Sequence, residues 1–393
     1  MIRHVTGLRY MPPWPADRSY RHFSNERGLT DREIALVAKW VEDGMPEGNK
    51  NDKPELPQFP DHSQLGTPDL VLKMPEPYHI PGDNTDHFIV MKIPYELERD
   101  TFIRLIEFVP GNRELLHHMN GHLISYNPDK KTHVNEGMMA VDQENGEIEP
   151  TRIHHLLGLL QDDGSYPALT TSVCNYLPGV IPPEYPAGIG GYRMSRKGAL
   201  YINNMHYGPS ALDTSDQSYF NIFFADSPPK RPINEVIMGT LGISDIEPPL
   251  IIEPDKVQKF TTRLEVITDL SLITINPHMH LLGKSFLAYA VKPDGDTIPL
   301  IRIPQWDFKW QYFYTFKKLL KIPTGSVIVA EGVYDNTKDN PYNPFDPPRR
   351  VGERNISMRT TDEMFQFIIT YVPYQAGDEN VSLESPEAAG FVR

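Results

Sequence analysis

One cysteine, Cys174, stands in 393 residues, so the chain cannot close an internal disulfide. That excludes a disulfide-stapled scaffold. It does not exclude an oxidising compartment, because a chain of this length can bury enough surface without bridges. No uninterrupted apolar run is long enough to span a bilayer, so membrane insertion by this chain is not expected. Positive charge is in deficit: 38 Lys and Arg against 52 Asp and Glu give a formal charge of −14. That argues against nucleic acid and anionic membrane surfaces as partners. The start, Met1-Ile2-Arg3-His4-Val5, lacks the charged-then-apolar layout of an export signal. The chain is therefore either cytosolic or missing its true N-terminus. No fixed-period repeat is present. Residues 185–191 form a Gly-rich turn without the Lys-Ser/Thr of a phosphate loop.

What the chain has in quantity is proline, 38 residues, and short runs of Val, Ile, Phe and Tyr bounded by Gly, Pro, Asn and Asp. Helical periodicity is scarce. This pattern predicts an all-β fold of two antiparallel, jelly-roll-like β-sandwich domains side by side, preceded by a short helical segment. The expected divisions are 1–50 for the helical segment, 51–66 for a linker, 67–234 for the first sandwich and 235–393 for the second. Strands are expected over 88–93, 102–109, 199–209 and 220–225, then 260–267, 271–275, 286–291, 310–316, 327–333 and 367–371. The one clear helix opens on the capping box Thr30-Asp31-Arg32-Glu33, carries an apolar stripe of Ile34, Val37, Trp40 and Val41, and stops near Gly44.

The stretch Asn276-Pro277-His278-Met279-His280-Leu281-Leu282-Gly283-Lys284 closes an apolar run. On a strand, alternation points His278 and His280 one way and Met279 the other. By itself a His-x-His fits either two hydrogen-bonded core histidines or a metal. His117-His118-Met119 is weaker, since adjacent residues on a regular strand diverge and a shared ion needs a bulge. Pro110-Gly111-Asn112 and Asn120-Gly121 supply turn chemistry for one. His154-His155 reads as ordinary packing. His206 closes an expected strand, and Met364 stands before the last one, where Met is normally core. Together, one block offers His117, His118 and His206, and the other offers His278, His280 and Met364. Three imidazoles suit copper or zinc, whereas a thioether favours Cu(I) and is rare on zinc. The second set therefore argues for copper with redox work. Asp362 and Glu363 flank Met364, either bracing the ligands from behind or forming a solvated strand start.

In this order, these blocks resemble the copper type II ascorbate-dependent monooxygenases, the family of peptidylglycine α-hydroxylating and dopamine β-monooxygenase, over residues 67–378. The wording of Trp306-Asp307-Phe308-Lys309-Trp310-Gln311 and Tyr334-Asp335-Asn336-Thr337 is similar to the bacterial branch. The resemblance implies copper, two ions per chain. His117, His118 and His206 would hold the electron-storing ion. His278, His280 and Met364 would hold the ion where O2 meets a substrate C–H bond, across a solvent-filled cleft. It implies O2 and a small-molecule substrate as partners, ascorbate or another reductant, an electron-donor protein as a further partner, and a periplasmic or secreted location. Each O2 would take two electrons, one oxygen atom entering the substrate and the other leaving as water. Catalytic residues beyond the copper ligands are not indicated.

Three features depart from the family. The disulfides of its animal members have no counterpart. The Arg two residues before the His-x-His and the Tyr four residues after the Met, which serve peptide substrates, are Asn276 and Ile368 here, so peptidylglycine is not the expected substrate. Residues 1–50 resemble the back half of a cytochrome-c-like module, with Met11 in the place of the axial haem ligand. No Cys-x-x-Cys-His occurs, so haem c would need an upstream segment. In the chain as it stands, Met11 is expected to be buried beside Trp14. Two rivals remain: a copper-binding or electron-transfer protein on the same scaffold without oxygenase activity, and a sugar- or surface-binding sandwich with structural histidines.

Overall fold

The structure is a computed structural model that describes the chain apart from residues 54–62, 64, 144–147, 171, 178–181, 183–184, 187, 353–360 and 385–393. It is all-β. Three long strands organise the first half: β1 (His87–Glu96), β2 (Leu116–Ser125) and β3 (Lys197–Tyr207). β3 pairs with β1 on one side and β2 on the other, inside a six-stranded antiparallel sheet. A four-stranded sheet built on Thr101–Val109 and Tyr219–Phe224 faces it. Period-two alternation fills the space between: Ile89, Met91 and Ile93 of β1 meet Ile106, Phe108, Phe220 and Ile222. Each such side chain contributes roughly 1.5–3 kcal/mol by leaving water. The other face of β1 is covered too. Val90, with Ala199 and Tyr201 of β3, packs on Ile153 and Leu157 around the helix Pro150–Leu156. His154 lies on that helix with its Nε2 3.4 Å from the Tyr201 hydroxyl, in keeping with a packing role.

The second half repeats the plan. β4 (Asn234–Gly239), β5 (Leu270–Met279), β6 (Tyr314–Ile322) and β7 (Phe365–Pro373) form a sheet in the order β4-β7-β5-β6. Its inner face presents Ile275, Met279, Phe365, Phe367 and Ile369 to a five-stranded sheet that supplies Phe260, Phe286, Ala288 and Ala330. β5 runs four residues beyond the expected 271–275 and takes in Pro277. Proline has no N–H for a ladder, but the β5–β6 pairing ends at Ile275↔Tyr314, so at Pro277 the strand is already an edge on that side. The expected strand 310–316 begins only at Tyr314. Asp307 ties the preceding residues into a turn, accepting the Lys309 N–H on its side chain and the Trp310 N–H on its carbonyl.

At the N-terminus, α2 (Asp31–Glu42) begins with the expected reciprocal cap. The Glu33 N–H donates to Thr30 Oγ1 at 3.2 Å, and the Thr30 N–H donates to Glu33 Oε2 at 2.7 Å. Between α2 and the first short helix, α1 (Ile2–Gly7), the chain enters the second sandwich. Phe23 bridges Phe316, Trp14 packs on Tyr312 and Tyr314 at 5.9 and 5.2 Å, and Arg302 Nε donates to Asp17 at 2.9 Å. The expectation for Met11 is overturned: it is 44% exposed. Trp14 turns its ring into that aromatic cluster and leaves Met11 on the wall of a separate cavity of about 930 Å3. Most of the expected linker 51–66 lies outside the described residues. Among the described residues no helix is long and apolar enough to cross a membrane.

Candidate metal centres

The first cluster depends on a fault in a ladder. β2 and β3 pair with His118 opposite His206, and the next pair is Leu116 opposite Tyr207. His117 is left without an opposite number, which is a β-bulge. The extra residue breaks the alternation, so that adjacent histidines converge. Ligand nitrogens of His117, His118 and His206 lie within 4.8 Å of one another. Asp86 Oδ1 holds His206 Nε2 at 2.6 Å, which leaves Nδ1 buried without a protein partner. A buried imidazole nitrogen with its other nitrogen fixed by a carboxylate is the arrangement of a metal-ligating histidine. His117 Nδ1 and His118 Nδ1 are 3.2 Å apart. Asn204 meets His118 Nε2 at 3.3 Å, and its Oδ1 is buried without a partner. The two ends of an amide are interchangeable in shape. With Oδ1 turned to His118, Asn204 accepts from Nε2–H and leaves Nδ1 for an ion.

The second cluster follows from alternation alone. His278 and His280 share a side at the end of β5, while Met279 between them is fully buried in the core. The register Met279↔Phe365, carried one pair further, sets Met364 opposite His280. Gln311 Oε1 lies 2.6 Å from His278 Nδ1, and Gln311 Nε2 donates to the Phe308 carbonyl at 2.9 Å, which settles the amide's orientation. His280 Nδ1 donates to the Asp362 carbonyl at 2.8 Å. In both rings, donation from Nδ1 places the lone pair on Nε2. Behind them, the buried Glu363 carboxylate accepts the His280 N–H at 3.0 Å and the Leu282 N–H at 2.7 Å. Its burial pushes it up to about 8 even though those N–H groups oppose the shift. Tyr334 donates its hydroxyl proton to the Met364 carbonyl at 2.6 Å. An imidazole pair and a thioether is a soft donor set suited to copper.

The two clusters share a cleft. His118, His278, His280 and Met364 all line a cavity of about 270 Å3 between the sandwiches. Phe308 reaches across it from the second half. Its ring stacks on His117 at 5.9 Å and meets His280 edge-on at 5.8 Å. Desolvation, followed by the neighbouring imidazoles, pushes His117 down to about 4 and His278 down to about 3. These rings are neutral at pH 7, the state a metal requires. A lowered histidine pKa favours folding above the unfolded value of about 6.5, and that contribution is lost as pH falls towards the folded value. A proton NMR titration of the metal-free protein should therefore find the His117 midpoint near 4, and its thermal stability should begin to fall below about pH 6.5. A His117 midpoint above 6 would contradict the burial described here.

Of the six residues singled out from the sequence, His118, His278, His280 and Met364 line this cleft and His117 and His206 cluster with His118, whereas Met11 lies on the other cavity. Asp362 contributes its backbone carbonyl to His280, and Glu363 its carboxylate to the backbone. Sequence reasoning missed Asp86, Asn204, Phe308 and Gln311. Phe308 and Gln311 lie within the Trp306–Gln311 wording already noted; nothing local marks Asp86.

Residues 256–385 match the profile described as copper type II ascorbate-dependent monooxygenase, C-terminal domain. Among curated proteins none matches. Among solved structures, the chain is similar to one described as the structure of infectious bursal disease virus Gt strain. Identity is 11%, coverage is 80% of this chain and 74% of that one, and the TM-score is 0.19. The Gx strain of the same virus gives 9% identity, the same coverages and a TM-score of 0.19. At that TM-score the likeness carries no argument.

Proposed function

The second sandwich belongs to the copper type II ascorbate-dependent monooxygenase family, and from that premise we propose that the chain is a dicopper monooxygenase hydroxylating a C–H bond of a small organic substrate. His117, His118 and His206 would hold one ion, and His278, His280 and Met364 the other. Bound copper would supply electron storage and O2 activation, with ascorbate or a donor protein as the source of electrons. The chain's own groups do the positioning. Asp86 holds the far side of His206, Gln311 and the Asp362 carbonyl orient His278 and His280, and Phe308 fills space between the clusters. The observation that carries this reading is the joint placement of His118 and the His278, His280 and Met364 set on one cleft.

Asn276 and Ile368 on the cleft wall offer no charge to a substrate carboxylate, which supports a substrate other than peptidylglycine. The resemblance further supports a bacterial origin and a periplasmic or secreted location. Haem c stays conditional on a Cys-x-x-Cys-His that this sequence does not contain. The test is oxygen consumption by copper-loaded protein with ascorbate and a panel of small organic compounds under 18O2. The expected result is consumption strictly dependent on one class of compound, with one labelled oxygen atom in its product. Copper binding with no substrate-dependent consumption and no labelled product would favour a copper-binding or electron-transfer role instead.

A further inference from the structure

The face of the second sandwich that carries His278 continues well beyond it. Register places Glu235 of β4 opposite Thr370 of β7, and Thr370 opposite Thr274 of β5, while His278 lies opposite Gln366. Opposed residues share a face, so Glu235 and His278 stand on the same side, two strands and four residue steps apart. That is about 13 Å along the strands and about 10 Å across them, roughly 16 Å between Cα atoms. The cavity that reaches His278, His280 and Met364 also reaches Glu235. Between these ends the wall is Ile237, Ile368 and Asn276, the last with its Nδ2 already donating to the Tyr312 carbonyl at 2.9 Å.

Among the described residues lining this cleft, Glu235 is the one carboxylate and none is Lys or Arg. It is held from across the junction by the Ser172 backbone N–H of the first sandwich, and burial pushes it up to about 7. Arg104 and Tyr185 line a small neighbouring cavity of about 50 Å3 that Glu235 also borders. Burial is the larger influence on Glu235, and only the Ser172 N–H opposes it. A desolvated carboxylate with no counter-ion among the described residues favours a ligand that brings one.

We propose that the cleft takes an elongated organic amine, with its ammonium head on Glu235, its apolar body along Ile237 and Ile368, and its reacting carbon beside His278, His280 and Met364. Allowing for the side chains at both ends, the span from head to reacting carbon is roughly 8–10 Å, about an eight-carbon chain. The proposal rests on the monooxygenase reading for which end reacts; the amine site itself does not need it.

The test is calorimetric titration of the metal-free protein with n-octylamine, n-octanol, octanoate and n-butylamine. Octylamine should bind at least about tenfold more tightly than octanoate, because only the ammonium pairs with the carboxylate. Affinity should fall about fourfold for each methylene removed towards butylamine. Glu235→Gln keeps an oxygen for the Ser172 N–H. It should weaken octylamine about tenfold or more and leave octanol unchanged. Should that variant unfold, Glu235→Asp, which keeps the charge but withdraws it by one methylene, should also weaken octylamine while sparing octanol. Octanoate binding as tightly as octylamine, or a Gln variant with undiminished octylamine affinity, overturns the proposal. No copper enters this assay. Loss of the amine site would leave the oxygenase reading intact, and amine binding without oxygenation would sink that reading alone.

Discussion

Replacing His280 with Ala is expected to abolish substrate-dependent oxygen consumption and to lower reconstituted copper from about two ions per chain to about one. His280 is the best-fixed ligand candidate of the second cluster. Its N–H is held by Glu363, its Nδ1–H by the Asp362 carbonyl, and it follows directly on the last ladder pair, Met279 opposite Phe365, with Met364 next to Phe365. Truncation removes one of three donors, and an imidazole with a thioether alone makes a poor site. His206→Ala should give the same count of about one through the other cluster, and the double variant should retain none. Met364→Ile separates the contributions further, since it keeps an apolar side chain of similar size but removes the sulfur. It should weaken Cu(I) more than Cu(II), because the thioether is the soft donor. Copper analysis with competition by chelators specific for each oxidation state decides the matter. Full copper content in the His280 variant would refute the ligand assignment.

The second large effect is expected at Glu363. Truncation to Ala leaves the His280 and Leu282 N–H groups buried without acceptors. At about 1–3 kcal/mol for each of these two unsatisfied groups, the loss should be roughly 2–6 kcal/mol. Glu363→Gln retains one oxygen but turns an NH2 towards the other donor, so its effect should be smaller. Denaturant unfolding of the metal-free proteins reads this directly. An Ala variant within about 1 kcal/mol of the parent would mean that water replaces the carboxylate.

Much of this was legible in the sequence, for identifiable reasons. β1 and β5 announced themselves through β-branched and aromatic runs, and a His-x-His on a strand fixes its own convergence by alternation. The His117-His118 pair carried a conditional statement, that shared ligation needs a bulge, and the register of β2 against β3 supplies it. What escaped were contacts made by residues distant in sequence. Asp86 meets His206 across a register that no local pattern encodes, and Glu235 reaches the cleft because β4 happens to border β7. Phe23 pairs with Phe316 at the far end of the chain, which drew the N-terminal segment into the second sandwich and left Met11 outside it. The late start of β6 went unseen because the turn at Asp307 reads locally as an aromatic, strand-forming run.

A ladder with one residue too many is a small deletion away from regularity. Remove Leu116, and β2 would pair with β3 without a shift from Asn120 opposite Asn204 through to Tyr207, leaving only the irregularity at Asn203. That repaired sheet would send two neighbouring imidazoles to opposite sides and hold no ion between them. In this strand, gains in fold regularity and gains in chemistry point in opposite directions, and the irregular version is the one this chain keeps.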